Sequence, residues 1–240
     1  MHNRAVSSVE LAELAGLLAD RTRTRFCLAL LDGRAWTAGE LATLAGVAPS
    51  TASEHLDRLV AGGLLVERRQ GRHRYVSLAG PDAAELLEGL LAHLDLAAER
   101  GRTLRRAVAS SAMARGRTCY DHLAGRLGVA ITDAMTTLGL LDVRHGCALT
   151  GEGMEWLTGV LRVAPAQLRA GRRPLVKCCL DATERRSHLA GAAGAKLCLR
   201  MFDNGWVKRI GTGRAVRLTP AGAAALEDLL AIDADSLAAG

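Results

Sequence analysis

The sequence predicts a mainly α-helical protein with small β-hairpins: an N-terminal domain, a helical connector and a C-terminal region with an internal repeat. Three observations predict it. Apolar residues recur at helical spacing from Leu11 onward. Two short runs, "LLVERR" and "HRYVSL", meet at an arginine-rich turn containing Gly71, which reads as a hairpin. The phrase "CYDHLAG" at 119–125 returns as "CLDATERRSHLAG" at 179–191, and self-similarity of this kind points to a duplicated unit.

The first helix is signalled by "SSVELAELAGLL", where Ser7 and Glu10 have capping-box spacing and Leu11, Leu14, Ala15 and Leu18 share a face. A second, "RTRTRFCLALLDG", runs to Gly33. "GELATLA" is a short helix closed by Gly46, which suits a tight turn with positive φ. Pro49 then opens the next helix, along which Ala52, Leu56, Leu59 and Val60 should face the core. Ser50, Thr51, Ser53, Glu54, His55 and Arg58 are left for its outer side. Gly62 and Gly63 stop it, and the basic hairpin follows.

Helix, turn, helix and basic hairpin together make a winged helix-turn-helix. Its second helix is expected in the major groove of double-stranded DNA, with the wing on the backbone or minor groove. Within residues 37–78, Ser50, Thr51, Ser53, Glu54, His55 and Arg58 are the candidate helix contacts, and Arg68, Arg69, Arg72, His73 and Arg74 the wing contacts. Charge agrees with this. The chain has 31 Lys+Arg against 25 Asp+Glu, and four arginines fall within 66–76. Six more lie in 100–117, which contains no acid. Basic charge gathered in short segments is the footprint of phosphate contact, although a solvated basic surface would look the same.

After the wing, "GPDAAELLEGLLAHLDLAAER" carries an apolar stripe of Ala83, Leu86, Leu87, Leu90, Leu94, Ala97 and Ala98. Such a stripe wants a partner, either the first helix or a second copy of the chain. Residues 8–98 resemble the ArsR/SmtB family of bacterial transcription regulators. The resemblance is carried by "LADRTRTRFCLALL", "STASEHLDRLVAGGLLVERRQGRHRYVSL" and the amphipathic helix after them. It implies a homodimer joined through the first and last helices of the domain, acting as a repressor on an inverted-repeat operator. The family's metal-sensing members carry an "ELCVC"-like pair before the recognition helix; here "ELATLAG" has no thiol. His93, Asp95 and Glu99 do not complete the family's other, dimer-bridging site, so neither carries over.

These readings divide the chain into a DNA-binding and dimerisation domain at 1–99, a helical connector at 100–117 and a C-terminal region at 118–240, with copies at 119–160 and 179–230. "HLAGRLGVAITDAMTTLGLLDV" from 122 aligns with "HLAGAAGAKLCLRMFDNGWVKR" from 188, each copy reading as helix, hairpin, helix. These winged-helix-like halves, packed about a pseudo-twofold, would bring equivalent positions to one interface. Cys119, Asp121 and His122 then match Cys179, Asp181 and His188, with Cys178 as an added thiol. Three readings stay open: buried cysteines and a histidine bonded to backbone, a thiol lowered by Arg117, Lys177, Arg185 or Arg186, or a metal site.

Hydrophobic residues make up 49% and aromatics only 3% of the 240 residues, so the cores are built on Leu, Ala and Val. No run approaches the ~18 apolar residues of a membrane span, and no membrane partner is expected. "MHNRAVSSVE" lacks a signal-peptide core. A cytoplasmic protein with six reduced cysteines is expected. There is no GxGxxG, P-loop, nucleophile elbow or HExxH, so no enzyme and no cofactor is expected. The inducer, whether small molecule, metal or oxidant, is not named by the sequence. The alternatives are a cysteine-based redox or metal-responsive protein whose C-terminal region does the sensing, and a dimerisation module that binds no DNA.

Overall fold

The structure is a computed structural model that describes residues 8–71, 73–94, 111–144, 146–169, 173–233 and 237. It has two compact units, 1–87 and 88–240.

In the N-terminal unit, α1 is Ser8–Leu18 and α2 is Arg21–Leu30. Asp20 caps α2 by accepting from the N–H groups of Thr22 and Arg23, both at 2.9 Å. The expected cap residue Ser7 lies outside the described residues. A capping box occurs instead at α3, Ala38–Ala45, between Thr37 and Glu40. Gly46 ends α3 at φ 68°, a left-handed conformation that a residue with a Cβ adopts at a cost.

Pro49 opens α4, Pro49–Ala61, and Ala52, Leu56 and Leu59 are buried along it. They meet Phe26, Leu30, Leu31 and Leu41, all 0% exposed. Each such side chain contributes about 1.5–3 kcal/mol on burial. The wing pairs β2, Leu65–Gln70, with β3, His73–Leu78, from Leu65↔Leu78 to Gln70↔His73. β1, Trp36–Thr37, lies on the other edge of β3. The helix α5, Pro81–His93, follows.

The C-terminal unit holds two runs of the same element order. First come β4, Arg117–Cys119, and β5, His122–Ala124, then α6, Gly125–Thr137. A second hairpin, β6 at Leu141–Asp142 with β7 at Ala148–Leu149, leads into α7, Gly151–Glu155. That helix continues as a π-helical turn, Trp156–Val160, before the short α8, Pro165–Leu168. The second run is β8, Lys177–Leu180, β9, Ser187–Ala190, and α9, Gly191–Asp203. It closes with β10, Val207–Arg209, β11, Val216–Leu218, and α10, Pro220–Leu230. Each run is therefore hairpin, helix, hairpin, helix.

This corrects the reading of "HLAG" as a helix start. His122–Ala124 and His188–Ala190 are strands, and only the glycine that follows begins a helix. Three- and four-residue strands leave too little alternation for sequence to reveal. The connector reading falls largely outside the described residues, but Arg117 is a strand residue only 2% exposed, not part of a solvated basic face.

The two runs contact each other reciprocally. A Cβ on Gly128 of α6 would lie 2.4 Å from the Leu123 carbonyl oxygen and 3.6 Å from the His188 Cβ. A Cβ on Gly194 of α9 would lie 2.4 Å from the Leu189 carbonyl oxygen and 3.4 Å from the His122 Cβ. Leu123, Leu127, Ile131 and Met135 from one run share a core with Leu189, Ala193, Leu197 and Met201 from the other.

Candidate functional site

Two constellations bear on function, one in each unit. In the N-terminal unit, α4 exposes Ser50, Glu54 and Arg58, with Thr51 and Ser53 half-buried. The wing exposes Arg68, Arg69 and His73; Arg72 lies outside the described residues. Two expected contacts are committed elsewhere. His55 turns inward, its ring edge-on to Phe26 at 6.5 Å and its Nδ1 3.7 Å from Asp20 Oδ1. Arg74 folds back from the wing to pair with Asp57 at 2.7 Å and Glu67 at 2.6 Å, its side chain 15% exposed. It also donates to Ser53 Oγ at 3.4 Å. Both residues are inside for the same reason: each ties α4 to a neighbouring element, and Arg74 thereby fixes the wing against the helix.

Among the described residues, the exposed arginines of this face are thus Arg58, Arg68 and Arg69. A helix end rich in small hydroxyl side chains, beside a clamped basic wing, defines a DNA-reading winged helix-turn-helix protein. The family described as "Helix-turn-helix domain" matches residues 18–68. The chain is 39% identical over 218 residues to the uncharacterized HTH-type transcriptional regulator YdfF of Bacillus subtilis (strain 168), covering 90% of this chain and 95% of that protein. It is 41% identical over 81 residues to the HTH-type transcriptional regulator CmtR of Mycobacterium bovis, covering 34% of this chain and 68% of CmtR. The solved homodimeric winged helix-turn-helix DNA-binding domain of a possible ArsR-family regulator from Mycobacterium bovis is 26% identical. That alignment covers 47% of this chain and 94% of that one, at a TM-score of 0.32. The chain belongs to the HTH-type transcriptional regulators. The 218 matched residues far exceed the N-terminal unit, so the likeness to YdfF takes in much of the C-terminal unit too.

In the C-terminal unit, Cys119, His122, Cys179 and His188 converge, all buried, with their ligand atoms within 4.8 Å of one another. The hairpins explain why. Cys119 is paired with His122 across β4–β5, and Cys179 with His188 across β8–β9. Directly opposed residues of an antiparallel pair project from the same face. Each hairpin thus delivers one sulfur and one imidazole. The sulfurs stand 3.9 Å apart and the two Nε2 atoms 3.1 Å apart.

The matched aspartates stand behind the imidazoles. Asp121 Oδ1 lies 3.3 Å from His122 Nδ1 and is held by Arg173, which donates to it at 2.9 Å. Burial opposes ionisation of Asp121, but Arg173 and His122 outweigh it and hold the carboxyl at about 2. Asp181 Oδ2 lies 3.5 Å from His188 Nδ1. It also accepts from the Gly125 N–H at 2.6 Å and from Arg117 at 3.1 Å. Its Oδ1 accepts from the Thr183 N–H and hydroxyl at 2.8 and 2.7 Å. Despite burial, the Arg117 charge and these donors keep Asp181 ionised, well below the ordinary carboxylate range.

The two thiols are driven apart as acids. The hydrogen bond to Cys179, together with burial, holds Cys119 well above an ordinary thiol. Cys179 is lowered, by the hydrogen bond from Cys119 and by the two imidazoles. The expected source of that lowering was different. Arg117 is spent on Asp181, and Arg186 on Asp133 at 2.8 Å.

Cys178 is corrected too. Strand alternation turns it away from Cys179, and it is disulfide-bonded to Cys147 with Cα atoms 5.7 Å apart. Not all six cysteines are reduced thiols, therefore. Cys27 and Cys198 are lone buried thiols, pushed up by burial to about 11 and about 12. Arg173 and Thr183 were not foreseen as supports of the cluster; no spacing in the sequence connects them to it.

Proposed function

We propose that the protein is a cytoplasmic repressor that binds an inverted-repeat operator as a homodimer and acts by binding rather than catalysis. The observation that carries this reading is the α4–wing face, where Arg58, Arg68 and Arg69 lie exposed around a helix that presents Ser50 and Glu54. Base edges would be read from α4, and phosphates would be neutralised by the arginines. Dimerisation is supported by apolar surface the chain leaves uncovered. Among its residues α1 buries none, and Val9 and Leu11 are 63% and 62% exposed. Leu90 of α5 and Leu94 just beyond it are 47% and 56% exposed. A twofold dimer presents two reading helices, which suits half-sites about one helical turn apart. No described helix is long and apolar enough to cross a membrane.

The test is a gel shift on the DNA upstream of the protein's own gene, titrated with salt, alongside sedimentation of the free protein. Retarded duplex that is lost steeply with salt, and a dimeric mass at micromolar concentration, are expected. A monomer with equal affinity for every duplex would refute the reading.

A further inference from the structure

We propose that Cys119, His122, Cys179 and His188 form a closed, tetrahedral site for one zinc-class divalent ion, two ligands coming from each hairpin. This site is independent of the DNA-reading face and stands whether or not the protein is a repressor.

Size comes first. With Zn–S near 2.3 Å and Zn–N near 2.0–2.1 Å, a regular tetrahedron sets its sulfurs about 3.8 Å apart and its nitrogens about 3.3 Å apart. The structure has 3.9 Å and 3.1 Å. No pair of ligand atoms exceeds 4.8 Å, so seating an ion asks for side-chain adjustments of about 1 Å or less. A Cys119–Cys179 disulfide would instead require the sulfurs to close from 3.9 Å to about 2.05 Å, and would leave both imidazoles without a role.

The direction of the histidines comes second. His122 Nδ1 is hydrogen-bonded to Asp121 at 3.3 Å, while His188 Nδ1, buried and without a hydrogen-bond partner, lies 3.5 Å from Asp181 Oδ2. The carboxylate selects the Nδ1–H tautomer of His122, and the Asp181 charge favours the same tautomer of His188, which leaves both Nε2 lone pairs free to face a bound ion. In that state the Nε2 atoms, 3.1 Å apart, repel unless a cation lies between them; without an ion, one ring carries its proton on Nε2 and donates to the other. Carboxylate, imidazole and metal in line is the arrangement that orients ligand histidines and raises their basicity.

Charge comes third. Two thiolates and two neutral imidazoles carry −2, which a divalent ion cancels where isolated charge is costly. Binding releases the remaining thiol protons to solvent. A set of two sulfurs and two imidazole nitrogens selects zinc over magnesium or calcium, which prefer oxygen. With four protein ligands and no open position, the ion is a cross-link between the two runs, not a hydrolytic centre.

The experiment uses the full chain, purified under reducing conditions, stripped with chelator and titrated with cobalt(II), then zinc(II). One cobalt per chain is expected, with the intense visible bands of a tetrahedral ion and a sulfur-to-cobalt charge-transfer band, both lost on adding one equivalent of zinc. X-ray absorption of the zinc form should show two sulfurs near 2.3 Å and two nitrogens near 2.0–2.1 Å. The Cys119→Ser, Cys179→Ser variant should lose the stoichiometric metal, while Cys147→Ser, Cys178→Ser keeps it. Should the first variant fail to fold, the wild-type absorption shell decides alone. Substoichiometric metal in wild type, an octahedral cobalt spectrum, a shell without two sulfurs, or metal retained in the Cys119→Ser, Cys179→Ser variant would each overturn the proposal.

Discussion

Replacing Gly128 by alanine sets two opposed effects against each other, and the structure decides which wins. In a helix interior the change ordinarily stabilises by about 0.5–1 kcal/mol, because glycine loses more freedom on folding. Here the new Cβ would lie 2.4 Å from the Leu123 carbonyl oxygen and 2.6 Å from its carbon. The obstacle is backbone of the adjoining strand, so α6 and β5 must separate by about 1 Å. Overpacking of this kind costs about 1–3 kcal/mol, and a backbone obstacle belongs at the upper end. The net expectation is a loss of about 2 kcal/mol, which lowers the urea midpoint by about 1 M for an m-value near 2 kcal/mol/M. Gly194→Ala, whose Cβ would meet the Leu189 oxygen at 2.4 Å, should lose a similar amount. Gly16→Ala in α1, with nothing within 4 Å, should gain instead. Urea unfolding followed by circular dichroism checks all three. A Gly128→Ala protein as stable as wild type would refute the close approach of α6 to the β5 backbone.

Arg68→Ala with Arg69→Ala should weaken binding to every duplex and flatten the salt dependence by about 2 units per chain, at about 0.9 per lost phosphate contact, as read by fluorescence anisotropy at several salt concentrations. Asp20→Ala should cost about 1 kcal/mol through loss of the α2 cap. Because folding lowers the Asp20 pKa from 3.8, chiefly through the Arg23 N–H bond, its contribution is whole above that pH and is lost as pH falls through the folded value. Acid titration of stability should therefore be shallower in Asp20→Ala than in wild type. Denatured without reductant, the chain should expose four reactive thiols, rising to six with reductant. Opening the Cys147–Cys178 bond, which spans 31 residues, should cost about 3–4 kcal/mol in thermal or urea unfolding.

The N-terminal unit was legible where its signals are local. Gly46 at a left-handed turn, Pro49 at a helix start, and the spacing of Ala52, Leu56 and Leu59 each fix an element within a few residues. What sequence could not show was the fate of side chains whose partners are distant. His55 and Arg74 look like surface cations on a reading helix and a wing, yet one reaches Asp20 and the other Asp57 and Glu67. In the C-terminal unit the repetition of cysteine, aspartate and histidine drew attention to residues whose thiols and imidazoles the structure brings together. The hairpins that aim them were missed, since strands of three or four residues carry almost no periodic signal. The partner of Cys178 is set by which side of β8 it faces, and no spacing rule reveals that.

The disulfide also changes how far the chain must search to bring its hairpins together. Cys119 and Cys179 are 60 residues apart along the backbone. Once Cys147 and Cys178 are joined, the 31 residues between them are bypassed, and the shortest covalent path falls to about half. Halving a loop lowers its closure cost by only about 0.6 kcal/mol. The bond thus restrains the unfolded chain strongly while barely easing the encounter of the two runs. A reduced protein and an oxidised one should assemble the same four-residue centre at nearly the same expense, and the two cysteine pairs answer to different agents.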